Sequence, residues 1–200
     1  MKQAIADLLA AAGMEGIRED MGRTPERAAR AWRDHLLAGY GASPARILEP
    51  LKSSRGRDVV AVRDIPFIST CPHHLLPFHG MVHLAYHPDG AVVGISRLAA
   101  LVHCLSRRLQ IQEDLTSQLA RELHAGTASL GAACVVQATH LCMTGRRGET
   151  AGSLVTTASF EGCYETDARQ RSQVLGLLGF GRPAGGGLTL AGGRRARRGR

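Results

Sequence analysis

Between residues 58 and 160 the hydrophobic pattern changes period in the order strand, strand, helix, helix, strand, strand, and few folds accept that order. The β-branched run 58–65 and the alternating segment 81–86 read as antiparallel strands, with a His-Pro-Asp-Gly turn at 87–90 and residues 91–95 extending the same pairing. Ser96 is expected to cap a helix that runs to about Leu105. Ile111, Leu115, Leu119 and Leu123 then mark the core stripe of a longer helix. Segments 132–138 and 153–160 are the last strand candidates, joined by a Gly/Arg-rich loop at 144–152, and a helix over 166–178 closes the fold. A parallel doubly wound sheet would alternate strands with helices one by one. Paired strands and paired helices point instead to an α+β fold, and no internal repeat is visible.

Before this region lies helical sequence. Ile5, Leu8 and Leu9 recur at helical spacing, with Gly13 as a stop. Thr24 suits an N-cap and Pro25 the first helical position. Ala28, Ala29, Trp32 and Leu36 form one apolar face of a helix ending near Gly39. Residues 44–51 add one more helical turn before the polar loop 53–57.

The chain therefore divides into a helical arm (1–52), a main domain (53–180) and a tail (181–200). Its 200 residues, 44% apolar, suffice for one packed core. The net charge of +8 suggests nucleic acid only until it is located. Five arginines sit in the last seven residues behind a glycine-rich run, and without them the balance is +3. Such a tail buries too little apolar surface to offset the entropy of ordering it, so it is read as a solvated appendage. The sequence shows neither a signal peptide nor an apolar run of membrane-spanning length. Five cysteines, an odd number, fit metal ligation or reduced thiols better than a disulfide framework, and a cytoplasmic location is expected.

Two of those cysteines lie beside histidines. In Cys71-Pro72-His73-His74 the three-residue spacing lets a tight turn bring a thiolate and the His74 imidazole to one ion. His140-Leu141-Cys142 ends a predicted strand, where alternate residues point the same way, so His140 and Cys142 are expected to face one cavity. Ligation by Cys71, His74 and Cys142 would give two sulfurs and one nitrogen. That set suits zinc and leaves a fourth position for water, with His73 and His140 beside the metal to move protons. The same residues also suit a plainer reading, with core thiols and packed or solvated histidines.

With their neighbours, these residues resemble GTP cyclohydrolase I over roughly residues 15–178. The resemblance is carried by Arg23-Thr24-Pro25-Glu26-Arg27 with Ala31-Trp32, by 71–78, by Val93-Gly94-Ile95-Ser96-Arg97-Leu98-Ala99, by Arg107-Arg108-Leu109-Gln110-Ile111-Gln112-Glu113, and by Ala138-Thr139-His140-Leu141-Cys142-Met143. It implies a tunnelling fold, an antiparallel four-stranded sheet backed by two helices. It also implies a homo-oligomer, a toroidal decamer with active sites between neighbours, and GTP as substrate.

The implied reaction opens the imidazole ring of GTP, releases C8 as formate and closes a pterin ring to give 7,8-dihydroneopterin triphosphate, the first step of folate and pterin supply. Carried over by motif, the zinc ligands fall on Cys71, His74 and Cys142, and the proton-transfer histidines on His73 and His140. Glu113, with Gln112 beside it, matches the guanine-recognising carboxylate, expected to be buried. Ser96, Arg97 and Arg146 match triphosphate-binding positions, with Arg107 and Arg108 as further basic candidates. Pro72, Ala100 and Gln137 depart from the family pattern: each stands where the family has a charged side chain. Two other readings share the motifs. One is a diverged paralogue that opens another purine nucleotide in specialised or deazapurine metabolism. The other is a non-enzymatic zinc or RNA-binding protein that uses the arginine tail.

Overall fold

The structure is a computed structural model, and it describes residues 1–14, 22–49, 51–52, 58–147 and 152–181. Its centre is a four-stranded antiparallel sheet built from β2 (Val60–Thr70), β3 (Pro77–His87), β5 (Gly131–His140) and β6 (Val155–Gly162), adjacent in that order. β2 runs past Ile65, where the sequence pattern ends, and through Pro66. It is an edge strand, so the missing proline N–H costs no ladder bond.

Two helices cover one face, α4 (Ile95–Ser106) and α5 (Gln112–Thr127). Leu98, Leu101 and Leu105 from α4 meet Leu115, Leu119 and Leu123 from α5, and Val82, Leu84 and Tyr86 from β3 pack beneath them. Burying each such leucine contributes about 1.5–3 kcal/mol. The opposite face is covered over half its length by α7 (Cys163–Thr166) and α8 (Ala168–Leu177), whose Tyr164 and Val174 pack with Leu178 on Ala85, Ala133 and Val135. Residues 82–86 are consequently all buried despite their alternating sequence. The α+β architecture expected from the element order is the one observed.

Several local expectations need correction. Residues 91–95 do not extend the β2–β3 pairing. β3 already has β2 and β5 on its two edges, so β4 (Ala91–Val92) pairs with β1 (Leu51–Lys52) in a separate two-stranded sheet. Ser96 lies inside the first turn of α4, and Gly94 takes the cap position. Ile111 caps α5 and is 39% exposed; the buried stripe begins one residue later, at Gln112. The 144–152 segment starts as helix, because α6 (Leu141–Arg147) follows β5 directly. The closing helix is broken at Asp167, whose carboxylate accepts from the backbone N–H groups of Arg169 and Gln170 and starts α8 afresh.

The arm begins with α1 (Lys2–Ala11) and continues through α2 (Thr24–Ala31), a π turn (Trp32–Leu36), a 3-10 turn (Ala38–Gly41) and α3 (Pro44–Ile47). Thr24 is the first helical residue of α2 rather than its cap, which is Arg23. The arm docks on the end of α4 by backbone. Gly39 N donates to Arg107 O at 2.9 Å, and a Cβ on Gly39 would lie 2.2 Å from Cys104 O. Arg108 donates to Gly39 O and Ala42 O across this junction and to Cys104 O on its own side of it. The 53–57 loop and the tail beyond residue 181 lie outside the described residues. Among those described, no helix is long and apolar enough to cross a membrane.

Candidate active site

The hairpin between β2 and β3 closes at the pair Thr70 and Pro77, and its loop carries the Cys-Pro-His-His motif. Cys71 N donates to Leu76 O and Leu75 N to Cys71 O, each at 2.9 Å, which folds the loop into a tight reversal. Leu75 pays for the turn with a left-handed backbone, φ +53°, a conformation costing a leucine about 1–2 kcal/mol. The reversal leaves Cys71 buried while His73 and His74 project outward. Nδ1 of each histidine lies 3.8 Å from the Cys71 sulfur.

The remaining part of the site arrives from β5. Its last residue, His140, pairs across the sheet with Phe78, and the chain then turns immediately into α6. Cys142 is therefore on a helical turn and does not follow the strand alternation expected for 140–142. That turn still brings its sulfur to the hairpin: the ligand atoms of Cys71, His74 and Cys142 all lie within 4.8 Å of one another. The donor chemistry fits a metal. Two thiols and an imidazole are soft to borderline ligands, and ligand atoms on neighbouring corners of a zinc tetrahedron stand about 3.6 Å apart. The 3.8 Å between Cys71 Sγ and His74 Nδ1 is close to that edge.

His140 sits beside this group in a confined setting. Phe78, fully buried, stacks on its ring at 4.6 Å between centroids. Its Nε2 lies 2.7 Å from Oε1 of Gln112. Burial pushes its pKa down, against the opposing pull of the Glu113 carboxylate. Glu113 itself is exposed at the start of α5, not buried as expected, so its carboxylate faces solvent in the single chain. Gln112 is turned the other way. It is 1% exposed, and its amide nitrogen is spent on Val136 O, Val155 O and Thr157 Oγ1, so its side chain does not reach outward to a substrate.

Two of the expected phosphate-binding residues, Ser96 and Arg97, are not gathered here. Ser96 and Arg97 occupy the first turn of α4, and Val93, just before them, donates its N–H to the Tyr86 hydroxyl at the far end of β3. The other end of α4 approaches Thr70, so the helix carries Ser96 about 15 Å along its axis away from the hairpin loop. Arg97 donates to the carbonyls of Ile47 and Glu49. Arg146 lies in α6, four residues beyond Cys142. Arg108 is committed to the arm junction.

Two features were not singled out from sequence. Phe78 stood within the 71–78 motif, and its position opposite His140 follows only once β3 and β5 are in register. A cleft of about 200 Å³ is lined by Arg23, Glu26, Arg27, Arg30, Ala31 and His35. Its signal was the helical spacing of arginines at 23, 27 and 30.

Against known proteins, the chain matches the model of the family GTP cyclohydrolase I over residues 1–179. A protein named GTP cyclohydrolase 1 from Rhodopirellula baltica is 41% identical over 178 residues, covering 89% of this chain and 77% of its own. One of the same name from Mycobacterium leprae is 41% identical over 88% of this chain and 86% of its own. Another, from Deinococcus radiodurans, is 39% identical over 85% of this chain and 79% of its own. Among solved structures, the archaeosine synthase QueF-Like in the apo form covers 54% of this chain and 97% of its own at TM-score 0.43 and 19% identity, too weak a likeness to carry an argument.

Proposed function

The chain belongs to the GTP cyclohydrolase I family, and on that premise we propose that it hydrolyses GTP to 7,8-dihydroneopterin triphosphate and formate, with zinc held by Cys71, His74 and Cys142. The observation that carries this reading is the convergence of those three side chains beside His140, from segments nearly seventy residues apart in the chain.

Bound zinc supplies the Lewis acidity that makes water a usable nucleophile near neutral pH. The chain's own residues do the rest. Burial lowers the pKa of His140 and so favours the neutral imidazole, the form that can take a proton. His73 gives one to a ring nitrogen of the purine, a role that its exposure on the hairpin beside Cys71 supports. Glu113 accepts hydrogen bonds from N1 and the 2-amino group of guanine, a pair of donors that adenine lacks, and its exposure leaves it accessible to the base. Gln112 contributes from within.

Ser96, Arg97 and Arg146 bind the triphosphate. The separation of Ser96 and Arg97 from the hairpin supports their acting on the site of a second copy, so the working protein is a homo-oligomer, a decamer in this reading, with sites shared between neighbours. A bidentate guanidinium fits phosphate oxygens, and for Arg97 it competes with the carbonyls of Ile47 and Glu49.

The test is to incubate zinc-loaded protein with GTP and assay formate together with pterin fluorescence, using His140→Ala as control. Pterin and formate from the wild type, with pterin lost in the variant, is the expected result. Formate without pterin would assign the ring-opening chemistry to a different nucleotide product. Inertness toward GTP would overturn the proposal.

A further inference from the structure

We infer that Gln112 is a positioning residue that locks His140 in a single tautomer, protonated at Nε2, which leaves the lone pair on Nδ1. The inference rests on the reading of His140 as a proton carrier for its catalytic meaning, but the lock itself is a matter of hydrogen-bond direction.

The direction follows from donor accounting around one buried amide. Thr116 Oγ1 donates to Gln112 O at 2.7 Å, which uses its only hydrogen. Thr116 Oγ1 also lies 2.6 Å from Thr157 Oγ1, so in that pair Thr157 must be the donor. The Thr157 oxygen is then left as an acceptor, 3.1 Å from the Gln112 side-chain nitrogen. Two backbone carbonyls, of Val136 at 3.2 Å and Val155 at 3.1 Å, face the same nitrogen. Carbonyls can only accept. Were the amide flipped, its oxygen would be buried against three acceptors with no donor among them, a costly arrangement at a site 1% exposed.

The nitrogen of Gln112 is therefore fixed toward β5 and β6, and Oε1 is fixed toward His140. An amide oxygen can only accept. Nε2 of His140, at 2.7 Å, must be the donor. The parallel Phe78 ring holds the imidazole plane, and a half-turn of the ring within that plane would put Cε1 in place of Nε2 and lose the Gln112 contact. Two side chains on different elements thus define which nitrogen is basic. Sequence position placed Gln112 beside Glu113 at the substrate; here it acts through His140 instead.

Long-range proton–nitrogen correlation spectra of the full-length, 15N-histidine-labelled protein read the tautomer directly, with His140→Asn used to assign the signal. The wild type is expected to show His140 protonated at Nε2, with and without zinc. An Nδ1-protonated ring, or a mixture of tautomers, would overturn the lock. Gln112→Met, of similar length but without amide, is expected to give mixed tautomers and to lower kcat for GTP about ten- to a hundred-fold with KM within about two-fold. A rise in KM at unchanged kcat would place Gln112 on the substrate and overturn the assignment. If the variant does not fold, the wild-type spectrum alone decides. If zinc-loaded wild type fails to turn over GTP, the proposed function falls while the spectrum still reads the lock.

Discussion

The ring of Phe78 lies flat on the ring of His140, with 4.6 Å between centroids and 4° between planes. The two residues are direct cross-strand partners on β3 and β5, and Phe78 is fully buried, so the sheet itself sets the attitude of the imidazole. Phe78→Leu keeps an apolar side chain but removes the flat platform. It should cost about 1–2 kcal/mol of stability, from lost stacking and imperfect packing. The same change should lower kcat for GTP more than it raises KM. Urea unfolding and steady-state kinetics on one preparation check both halves; an unaltered kcat would mean the stack is only packing.

His83 predicts how stability depends on pH. Asp64 N donates to its Nδ1 at 3.3 Å, its Nε2 is buried with no hydrogen-bond partner among the described residues, and Phe180 packs edge-on against the ring. Burial pushes the pKa of His83 down; Asp64 opposes this and Arg63 adds to it. The unfolded chain, with a histidine pKa of about 6.5, then takes up the proton before the native state does. Stability from this residue is complete above about pH 6.5 and is lost as pH falls below it, down to the lowered native value. Thermal unfolding between pH 7.5 and 5 should show a decline that His83→Asn reduces, since the asparagine oxygen can still accept from Asp64 N. An equal decline in the variant would exclude His83 as the source.

The arm junction makes a steric prediction. A Cβ on Gly39 would stand 2.2 Å from Cys104 O and 2.9 Å from Arg107 O, both backbone atoms that cannot swing aside. Gly39→Ala should destabilise by about 1–3 kcal/mol, as overpacking does. Gly41, three-dimensionally open at the same turn, should accept alanine with little change. Paired denaturation curves for the two variants test this, and equal stabilities would contradict the docking.

Much of this was legible in the sequence, and the parts that were not share a physical reason. Leu115, Leu119 and Leu123 announced α5 because a buried helix face repeats at its own period. Of the expected stripe only Ile111 faces out, because it is the extended residue that caps the helix; Gln112, three residues before Leu115 and seven before Leu119, takes the inward position at the same spacing. Cys71, His74 and Cys142 were readable by residue type as a group that could hold a metal, whereas the path of the chain at 140–142 was not, because nothing in His-Leu-Cys-Met marks a switch from strand to helix. Residues 91–95 have strand character, but partner choice depends on which sheet edges remain open, and β3 has none. Which of the residues proposed to bind phosphate lie near Cys71, His74 and Cys142 is likewise a matter of tertiary placement, and Ser96 sits a helix length away.

The central claim is that Cys71, His74 and Cys142 hold the zinc on which GTP hydrolysis depends. Metal-stripped protein titrated with zinc, with bound zinc and formate release measured on the same samples, tests it most directly. Turnover should rise in proportion to bound zinc and level off at one ion per chain, and Cys142→Ser should lose both the binding and the turnover. Formate release that is independent of zinc content, or a Cys142→Ser protein that binds zinc and turns over as the wild type does, would contradict it.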